Sequence, residues 1–203
     1  AGIRHGLTFP AERVLTMTLG STQAVAEARA TQGIIPAHSV ADNMVMSVIG
    51  RIAPKGFVDR ARVRDIAEDM IARLSIKTAS RDHAVSTLSG GNQQKVVIGK
   101  WLATEPEILI LDEPTAGIDI GSKAEIIRLV RELAQSGKGV IVISSELSEL
   151  LTACDRILVM ADGRAHQMLD RADLDDPDDP DERDPEHALQ AAERRLQVEI
   201  QKA

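Results

Sequence analysis

Hydrophobic residues follow two patterns along the chain, a helical stripe in one region and short apolar runs in others. The stripe covers Phe57 to Leu74 and predicts an amphipathic helix. The apolar run at 108–111 predicts a short buried strand, and the continuous apolar run at 139–144 is typical of a central strand in a parallel sheet buried on both faces. A turn at Ala161-Asp162-Gly163 joins two further apolar stretches and predicts a hairpin. Strands alternating with helices predict an α/β fold.

Helix boundaries are marked by polar residues with a capping role. Ser39 and Asp42 form a capping box before an apolar helical segment. A second helix is predicted over 122–135, started by Gly121 and Ser122 and ended by Gly137. Asp184 and Pro185 start a C-terminal helix that either docks, on a partner or on its own domain, or is a mobile surface helix. The apolar side of that helix comprises Leu189, Leu196 and Ile200.

Composition narrows the class of protein. The segment 170–186 holds ten acidic residues and two arginines, a net charge of −8, which leaves the rest of the chain at about +1 of the total of −7. An acidic to neutral chain argues against nucleic acid as the main partner. The single cysteine, Cys154, excludes an internal disulfide framework and indicates a buried structural thiol in a reducing compartment. No apolar run approaches 18 residues, so the sequence predicts no transmembrane segment.

The stretch from Leu88 to Asp119 carries the chemistry. Ser89 is a good N-cap, and Gly90 and Gly91 leave backbone N–H groups uncovered at the start of a helix that runs to Ala103. The uncovered N–H groups and the helix dipole both favour a bound phosphate. The first half of the stretch therefore predicts an anion site.

The second half of the stretch is a buried strand that ends in two adjacent carboxylates, Asp112 and Glu113. Neighbouring side chains of a strand point to opposite faces, so the two carboxylates reach different points of one cleft. An aspartate on Mg²⁺ and a glutamate beside an attacking water are a common division of labour in phosphoryl transfer.

These motifs resemble the ATP-binding subunits of ABC transporters. The resemblance is carried by Leu-Ser-Gly-Gly at 88–91 and by Leu-Asp-Glu-Pro-Thr at 111–115. The Asn-Gln-Gln-Lys continuation and the run Gly117-Ile118-Asp119-Ile120-Gly121 are similar to the second ATPase domain of bacterial importers of ribose, galactose and xylose. The resemblance covers roughly 1–169 and implies a truncated P-loop NTPase, with a mostly parallel sheet and a helical signature subdomain.

The resemblance also implies a domain division and an insertion. The partial ATPase domain spans 1–169, with the helical subdomain at about 39–105 and the core part at 106–169. An acidic linker, 170–185, and a C-terminal helix, 186–203, follow. The segment from Val14 to Arg29 has no counterpart in the family pattern and is interpreted as an insertion, in which Ser21 caps a helix through Ala30.

ATP and Mg²⁺ are the ligands that the resemblance implies. Asp112 would hold the metal, Glu113 would polarise water, and Ser145 stands where these ATPases usually place a γ-phosphate-contacting histidine. Glu12, in a loop after a short strand at 6–10, matches a Mg²⁺-sensing position or is a solvated loop carboxylate. The residues expected to bind ATP are Glu12, Leu88, Ser89, Gly90, Gly91, Asn92, Gln93 and Asp119.

One motif of the family is missing from the sequence. No Gly-x-x-x-x-Gly-Lys-[Ser/Thr] occurs anywhere in the 203 residues. The family's phosphate loop, with the strand and helix around it, would lie before Ala1. Two ABC domains pack head to tail, so this chain would supply the signature half of a site and would not build a whole one.

The leading hypothesis is the ATP-hydrolysing component of a carbohydrate importer, peripheral on the cytoplasmic face of a bacterial membrane. One alternative is a non-catalytic ABC-like half that completes or regulates a partner's site. Another is a soluble ABC-type ATPase of DNA repair or translation, which would favour a basic face or coiled-coil heptads. The resemblance implies three partners: a second nucleotide-binding domain in the same polypeptide or a homologous chain, transmembrane permease subunits, and indirectly a periplasmic sugar-binding protein.

Overall fold

A computed structural model describes residues 14–19, 33–54, 56–175 and 184–202. The expected strand at 6–10, the loop with Glu12, the helix after Ser21 and most of the acidic segment lie outside these residues. The described strands are β1 (Val14–Leu19), β2 (Ile108–Asp112), β3 (Gly139–Ile143), β4 (Arg156–Ala161) and β5 (Arg164–Asp170). The described α-helices are α1 (Val40–Val45), α2 (Ile49–Ile52), α3 (Arg60–Arg73), α4 (Gly90–Leu102), α5 (Ile120–Gln135), α6 (Leu147–Ala153) and α7 (Pro185–Gln201).

The chain divides into two compact units. Among the described residues, the sheet unit comprises 14–19, 108–112 and 130 onward, and the helical unit comprises 33–107 and 113–129. The chain passes from one unit to the other between Asp112 and Glu113 and again within α5. The helical unit therefore contains the Leu-Ser-Gly-Gly stretch, while the strand that ends in Asp112 belongs to the sheet unit.

The sheet unit is built on five strands in the order β2-β3-β1-β4-β5. β1 pairs in parallel with both β3 and β4, β2 pairs in parallel with β3, and β5 is antiparallel to β4. The mostly parallel sheet confirms the α/β prediction. Parallel strands need crossover connections, and α5 and α6 provide two of them: α5 joins β2 to its neighbour β3, and α6 joins β3 to β4, on the other side of β1.

The central strand of this sheet is the one that the sequence analysis missed. The family resemblance predicts an insertion that begins at Val14, yet Val14–Leu19 forms β1 between β3 and β4. Its sequence, Val-Leu-Thr-Met-Thr-Leu, is rich in residues that favour strands and alternates apolar with polar positions.

The sheet buries one set of alternating residues more completely than the other. Val140 and Val142 are fully buried in β3, whereas the intervening residues are half-buried. In β2, Leu109 and Leu111 are buried while Ile108 and Ile110 are exposed. The expected burial of the 139–144 run on both faces is therefore complete on one face only.

The hairpin prediction is confirmed. β4 and β5 are joined by Asp162 and Gly163, both with positive φ, at 50° and 73°. Two consecutive residues in the left-handed region match the twist of the flanking strands, which explains the Asp-Gly pair.

The C-terminal helix packs on its own unit. Asp184 caps α7 by accepting hydrogen bonds from the backbone N–H groups of Glu186 and His187. Ala192 and Leu196 are fully buried, and Arg195 donates to the carbonyl of Leu174 at 2.7 Å. Leu174 is itself buried in a short helical turn after β5, so the acidic segment begins as packed structure. Of the alternatives for this helix, packing on its own domain is the one that the structure shows.

The helical unit has an aliphatic core around α1, α3 and α4. The helix predicted at 57–74 begins at Arg60, because the Asp59 carboxylate caps it by accepting from the N–H groups of Ala61 and Arg62. Phe57 lies before the cap and is exposed. Members of one buried cluster are Ala41, Val45, Val48, Ile52, Val63, Ala67 and Ala103. None of the described helices is long and apolar enough to cross a membrane.

Candidate functional site

Ser89 occupies the N-cap position of α4 but does not cap the helix with its side chain. Its backbone is extended, with φ −63° and ψ 156°, and its side chain makes no hydrogen bond to the N–H groups of the first turn. The hydroxyl instead accepts a hydrogen bond from Asn92 Nδ2 at 2.9 Å. Ser89 and Gly90 are exposed, so the start of α4 faces solvent with a hydroxyl and a helix dipole, as an anion site requires.

Gly91 is buried and packs directly against the start of α5. A Cβ at Gly91 would lie 2.3 Å from Ser122 Oγ and 2.4 Å from Ser122 Cβ, too close for any side chain. Gly90 is less constrained, since a Cβ there would lie 3.5 Å from Ile118 Cγ2. The second glycine of the motif therefore allows α4 and α5 to touch. The sequence analysis explains this glycine only by the N–H groups that it leaves uncovered.

Asp119 caps α5. Its Oδ1 accepts from the Ser122 backbone N–H at 3.0 Å, and its Oδ2 accepts from the Ser122 hydroxyl at 2.8 Å. These bonds, the backbone one first, lower the pKa of Asp119. Because of this cap the helix begins at Ile120, two residues before the predicted start. The spacing of Asp119 and Ser122 is a cap signal that was not used in the sequence analysis.

A charged cluster links α4, one turn after its start, to Glu125 of α5. Lys95 is buried, and its Nζ lies 2.8 Å from Glu125 Oε2 and 3.3 Å from the Ser75 carbonyl. Lys77 Nζ reaches the other oxygen of Glu125 at 3.3 Å. The hydrogen bond from Lys95, followed by that from Lys77, lowers the pKa of Glu125. Nothing in the sequence pairs Lys95 with a residue thirty positions away, so this cluster was not predicted.

Two further predicted ATP-binding residues have local partners. Gln93 Nε2 donates to the carbonyl of Leu88 at 2.9 Å, which folds the glutamine back onto the loop. Asn92 bonds to Ser89 and to the backbone of Lys77. The helical unit thus brings together the motif residues Leu88, Ser89, Gly90, Gly91, Asn92 and Gln93 with the Asp119 cap, while Glu12 lies outside the described residues.

A second group of candidate residues begins at the last residue of β2, in the sheet unit. Asp112 is half-buried, and burial raises the pKa of its carboxyl. Glu113 follows with a φ of 45°, in the left-handed region that costs a non-glycine residue roughly 1 kcal/mol or more. Residues with strained backbones cluster at active sites and ligand clamps, which makes Glu113 a candidate functional residue.

Ser145 lies near the same edge of the sheet as Asp112. Asp112 pairs with Ile143 in the parallel ladder, and Ser145 follows two residues later and is exposed. The adjacent Ser144 is buried, donates to Glu149 Oε2 at 2.9 Å and accepts from the Glu146 N–H. Ser144 therefore has a structural role, and Ser145 is the serine that faces solvent.

Comparison with known proteins agrees with this architecture. A family profile described as "ABC transporter" matches residues 12–116, just over half of the chain and a range that includes β1. A putative ribose/galactose/methyl galactoside import ATP-binding protein of Pseudomonas syringae is 49% identical over 147 residues, which are 72% of this chain and 28% of that protein. An arabinose import ATP-binding protein of Rhizobium meliloti is 42% identical over 172 residues, 84% of this chain and 34% of that protein. The chain spans about a third of the length of these relatives.

Solved structures show the same fold. The dimeric ATP-binding cassette MJ0796, in a post-hydrolysis state bound to ADP and Pi, superposes with a TM-score of 0.60 and 19% identity. The match covers 79% of this chain and 86% of the cassette. The shared fold, the Leu-Ser-Gly-Gly helix start, the strand ending in Asp112 and the matched profile lead to one assignment: the chain belongs to the ABC transporter family.

Proposed function

We propose that the chain is an ATP-binding part of a carbohydrate importer and contributes its signature loop and strand-end carboxylates to ATP sites shared with a second domain. The open start of α4 is the observation that carries this proposal. Its Ser89 hydroxyl and first-turn N–H groups form a donor set that suits a γ-phosphate. The sugar class comes from the relatives that are 49% and 42% identical, a putative ribose/galactose/methyl galactoside import protein and an arabinose import protein.

Asp112 is the proposed Mg²⁺ ligand, and its surroundings fit that role. Burial disfavours its charged form, and a divalent cation would compensate for this. The described residues contain no group of three or more His, Cys, Asp or Glu side chains arranged to hold a metal. Mg²⁺ is commonly held by only one or two carboxylates together with substrate phosphates, so a single aspartate suits a metal that arrives with ATP. Glu113, beside it, would orient water.

A whole site requires phosphate-loop residues that the 203-residue sequence does not contain. We therefore expect the purified chain alone to bind ATP weakly and to hydrolyse almost none, since the phosphate loop supplies most of the donors to the β- and γ-phosphates. Mixing with a homologous ABC domain that has a phosphate loop is expected to restore turnover. Phosphate release is the measurement. Ordinary ABC ATPase turnover by the monomer alone would overturn the shared-site proposal.

The proposed docking place for the permease is a groove on the helical unit. The groove measures about 520 Å³ and is lined by apolar residues of α1, of α2 and of the segments before α1 and before α3, among them Ile35, Ile49 and Val58. Asp42 and Arg60 lie 3.8 Å apart beside it. A groove lined mostly by apolar residues, with an oppositely charged pair among them, has the composition of a helix-binding groove. Docking here would place the chain on the cytoplasmic face of the membrane.

We expect Ile49→Asp to reduce co-purification of the chain with the permease subunits by at least about tenfold, because a charge at an apolar interface centre is costly. Ile49 is 46% exposed, so the variant is expected to fold. Val198→Asp, on α7 and 50% exposed, is the matched control and is expected to have no effect. Equal losses in both variants, or none in either, would refute the groove as the permease site.

A further inference from the structure

Two helices of this chain start with a serine followed three residues later by an aspartate or asparagine, and their hydrogen bonds differ. At α1, Ser39 Oγ accepts from the Asp42 N–H at 3.0 Å and donates to Asp42 Oδ2 at 2.7 Å. At α4, Ser89 Oγ accepts from the Asn92 side chain and bonds to no backbone N–H of the helix. The first hydroxyl caps its helix, and the second does not.

The amide of Asn92 is held in one orientation by the backbone of Lys77. The Lys77 N–H lies 2.7 Å from the Asn92 Oδ1. A backbone N–H only donates, so the atom facing it has to be the oxygen of the amide. The Nδ2 group is then directed at Ser89, where it donates at 2.9 Å. The loop at Lys77 is itself anchored, because Lys77 Nζ and Lys95 Nζ both pair with the Glu125 carboxylate.

This arrangement determines what Ser89 offers to solvent. Its oxygen is engaged as an acceptor from Asn92, so its own proton is directed away from Asn92. Ser89 is exposed, and its oxygen does not occupy the first-turn N–H groups of α4. The hydroxyl and those N–H groups are therefore all donors toward an anion at the helix start.

We propose that Asn92 is a positioning residue that holds the Ser89 hydroxyl as a donor toward the γ-phosphate, rather than a residue that contacts ATP. The inference rests on the proposed function and revises the sequence expectation that Asn92 binds ATP. Asn92 accomplishes this by linking the Lys77 backbone to Ser89 through one amide with a defined orientation.

Asn92→Asp tests the orientation with almost no change of shape. One carboxylate oxygen keeps the bond from the Lys77 N–H, and the other takes the Ser89 proton, as Asp42 takes that of Ser39. In the transporter complex that contains this chain, we expect the affinity for the non-hydrolysed analogue AMP-PNP to fall about 10- to 100-fold, as for the loss of a charge-assisted hydrogen bond. Affinity for ADP, which has no γ-phosphate, is expected to stay within about twofold.

A double-mutant cycle of Asn92→Ala with Ser89→Ala separates positioning from contact. Asn92→Ala is expected to weaken AMP-PNP binding when Ser89 is present and to have no further effect when residue 89 is alanine. Equal losses in both backgrounds would overturn the positioning role in favour of direct contact, and equal losses for ADP and AMP-PNP would overturn it in favour of general structural damage. An unchanged AMP-PNP affinity in Ser89→Ala would instead refute the proposed function of the α4 start. The same cycle with Asn92→Asp in place of Asn92→Ala separates the effect of the added charge. The part of the Asn92→Asp loss that remains when residue 89 is alanine comes from the charge alone.

Discussion

Replacing Ser89 by arginine is expected to abolish ATP-driven association with a second ABC domain while leaving this chain folded. Ser89 is exposed and its side chain does not cap α4, so the larger side chain costs little in the free chain. In the associated state it would occupy the space in front of the helix start, where the γ-phosphate is proposed to bind. A loss on the order of 100-fold or more in association is expected when a bulky group fills the centre of an interface site.

The measurement is sedimentation of the chain with a phosphate-loop domain, with and without ATP. Ser86→Arg is the matched control, because Ser86 is also an exposed serine three residues away and lies before the helix start. Ser89→Glu adds a test of charge, since an anion at the helix start would repel phosphate. Undiminished ATP-dependent association of both Ser89 variants would rule out the phosphate-binding role of this loop.

Gly91 is a poorer position for such a test, although the sequence alone presents it as equivalent. An aspartate there would repel phosphate, but any side chain at this buried position meets Ser122 at 2.3 Å. Overpacking of this kind typically costs about 1–3 kcal/mol, so a loss of association would not separate chemistry from misfolding. The contact between α4 and α5 is tertiary, and no local pattern around Gly91 indicates it.

The sequence was most informative where the signal is local. Ser39 with Asp42, Asp162 with Gly163, and Asp184 with Pro185 all act within a few residues of themselves, and the helix starts and the turn that they predict are present. The predicted helix over 57–74 failed at its start for a similar local reason. The apolar spacing extends toward the N-terminus beyond Asp59, but the Asp59 carboxylate caps the helix, which therefore begins at Arg60.

Long-range relations account for what was missed. β1 has the composition of a strand, but its central place depends on pairing with β3 and β4, more than a hundred residues away. Lys95 and Glu125 become partners only when α4 and α5 meet. Which of the two serines is buried depends on Glu149, because its carboxylate accepts a hydrogen bond from the Ser144 hydroxyl while Ser145 is exposed. The motif predicts which residues form the candidate site, whereas their orientation depends on the fold.

The second large effect concerns which of two ATP sites works in an assembled transporter. Head-to-tail packing of two ABC domains, as proposed, gives one site with the signature loop of this chain and another with Asp112 and Glu113. The first takes its metal ligand and its water-orienting carboxylate from the partner. The second has Ser145, exposed beyond β3, where the family resemblance places a histidine. A hydroxyl donates one hydrogen bond but has no positive charge.

Loss of one preorganised donor around a developing phosphoryl charge typically costs on the order of 10²–10³ in rate, so the site with Asp112 and Glu113 is expected to be slow. In the assembled transporter, Ser89→Arg is therefore expected to remove most ATP turnover and Glu113→Gln to remove much less. Ser145→His, made in the protein that keeps Glu113, is the matched gain-of-function variant. With histidine at position 145, Glu113→Gln is expected to remove a larger share of ATP turnover than it does with Ser145. Steady-state phosphate release measures all of them. If Glu113→Gln is instead the more damaging change, Ser145 is an adequate substitute and this chain is catalytic through its own carboxylates.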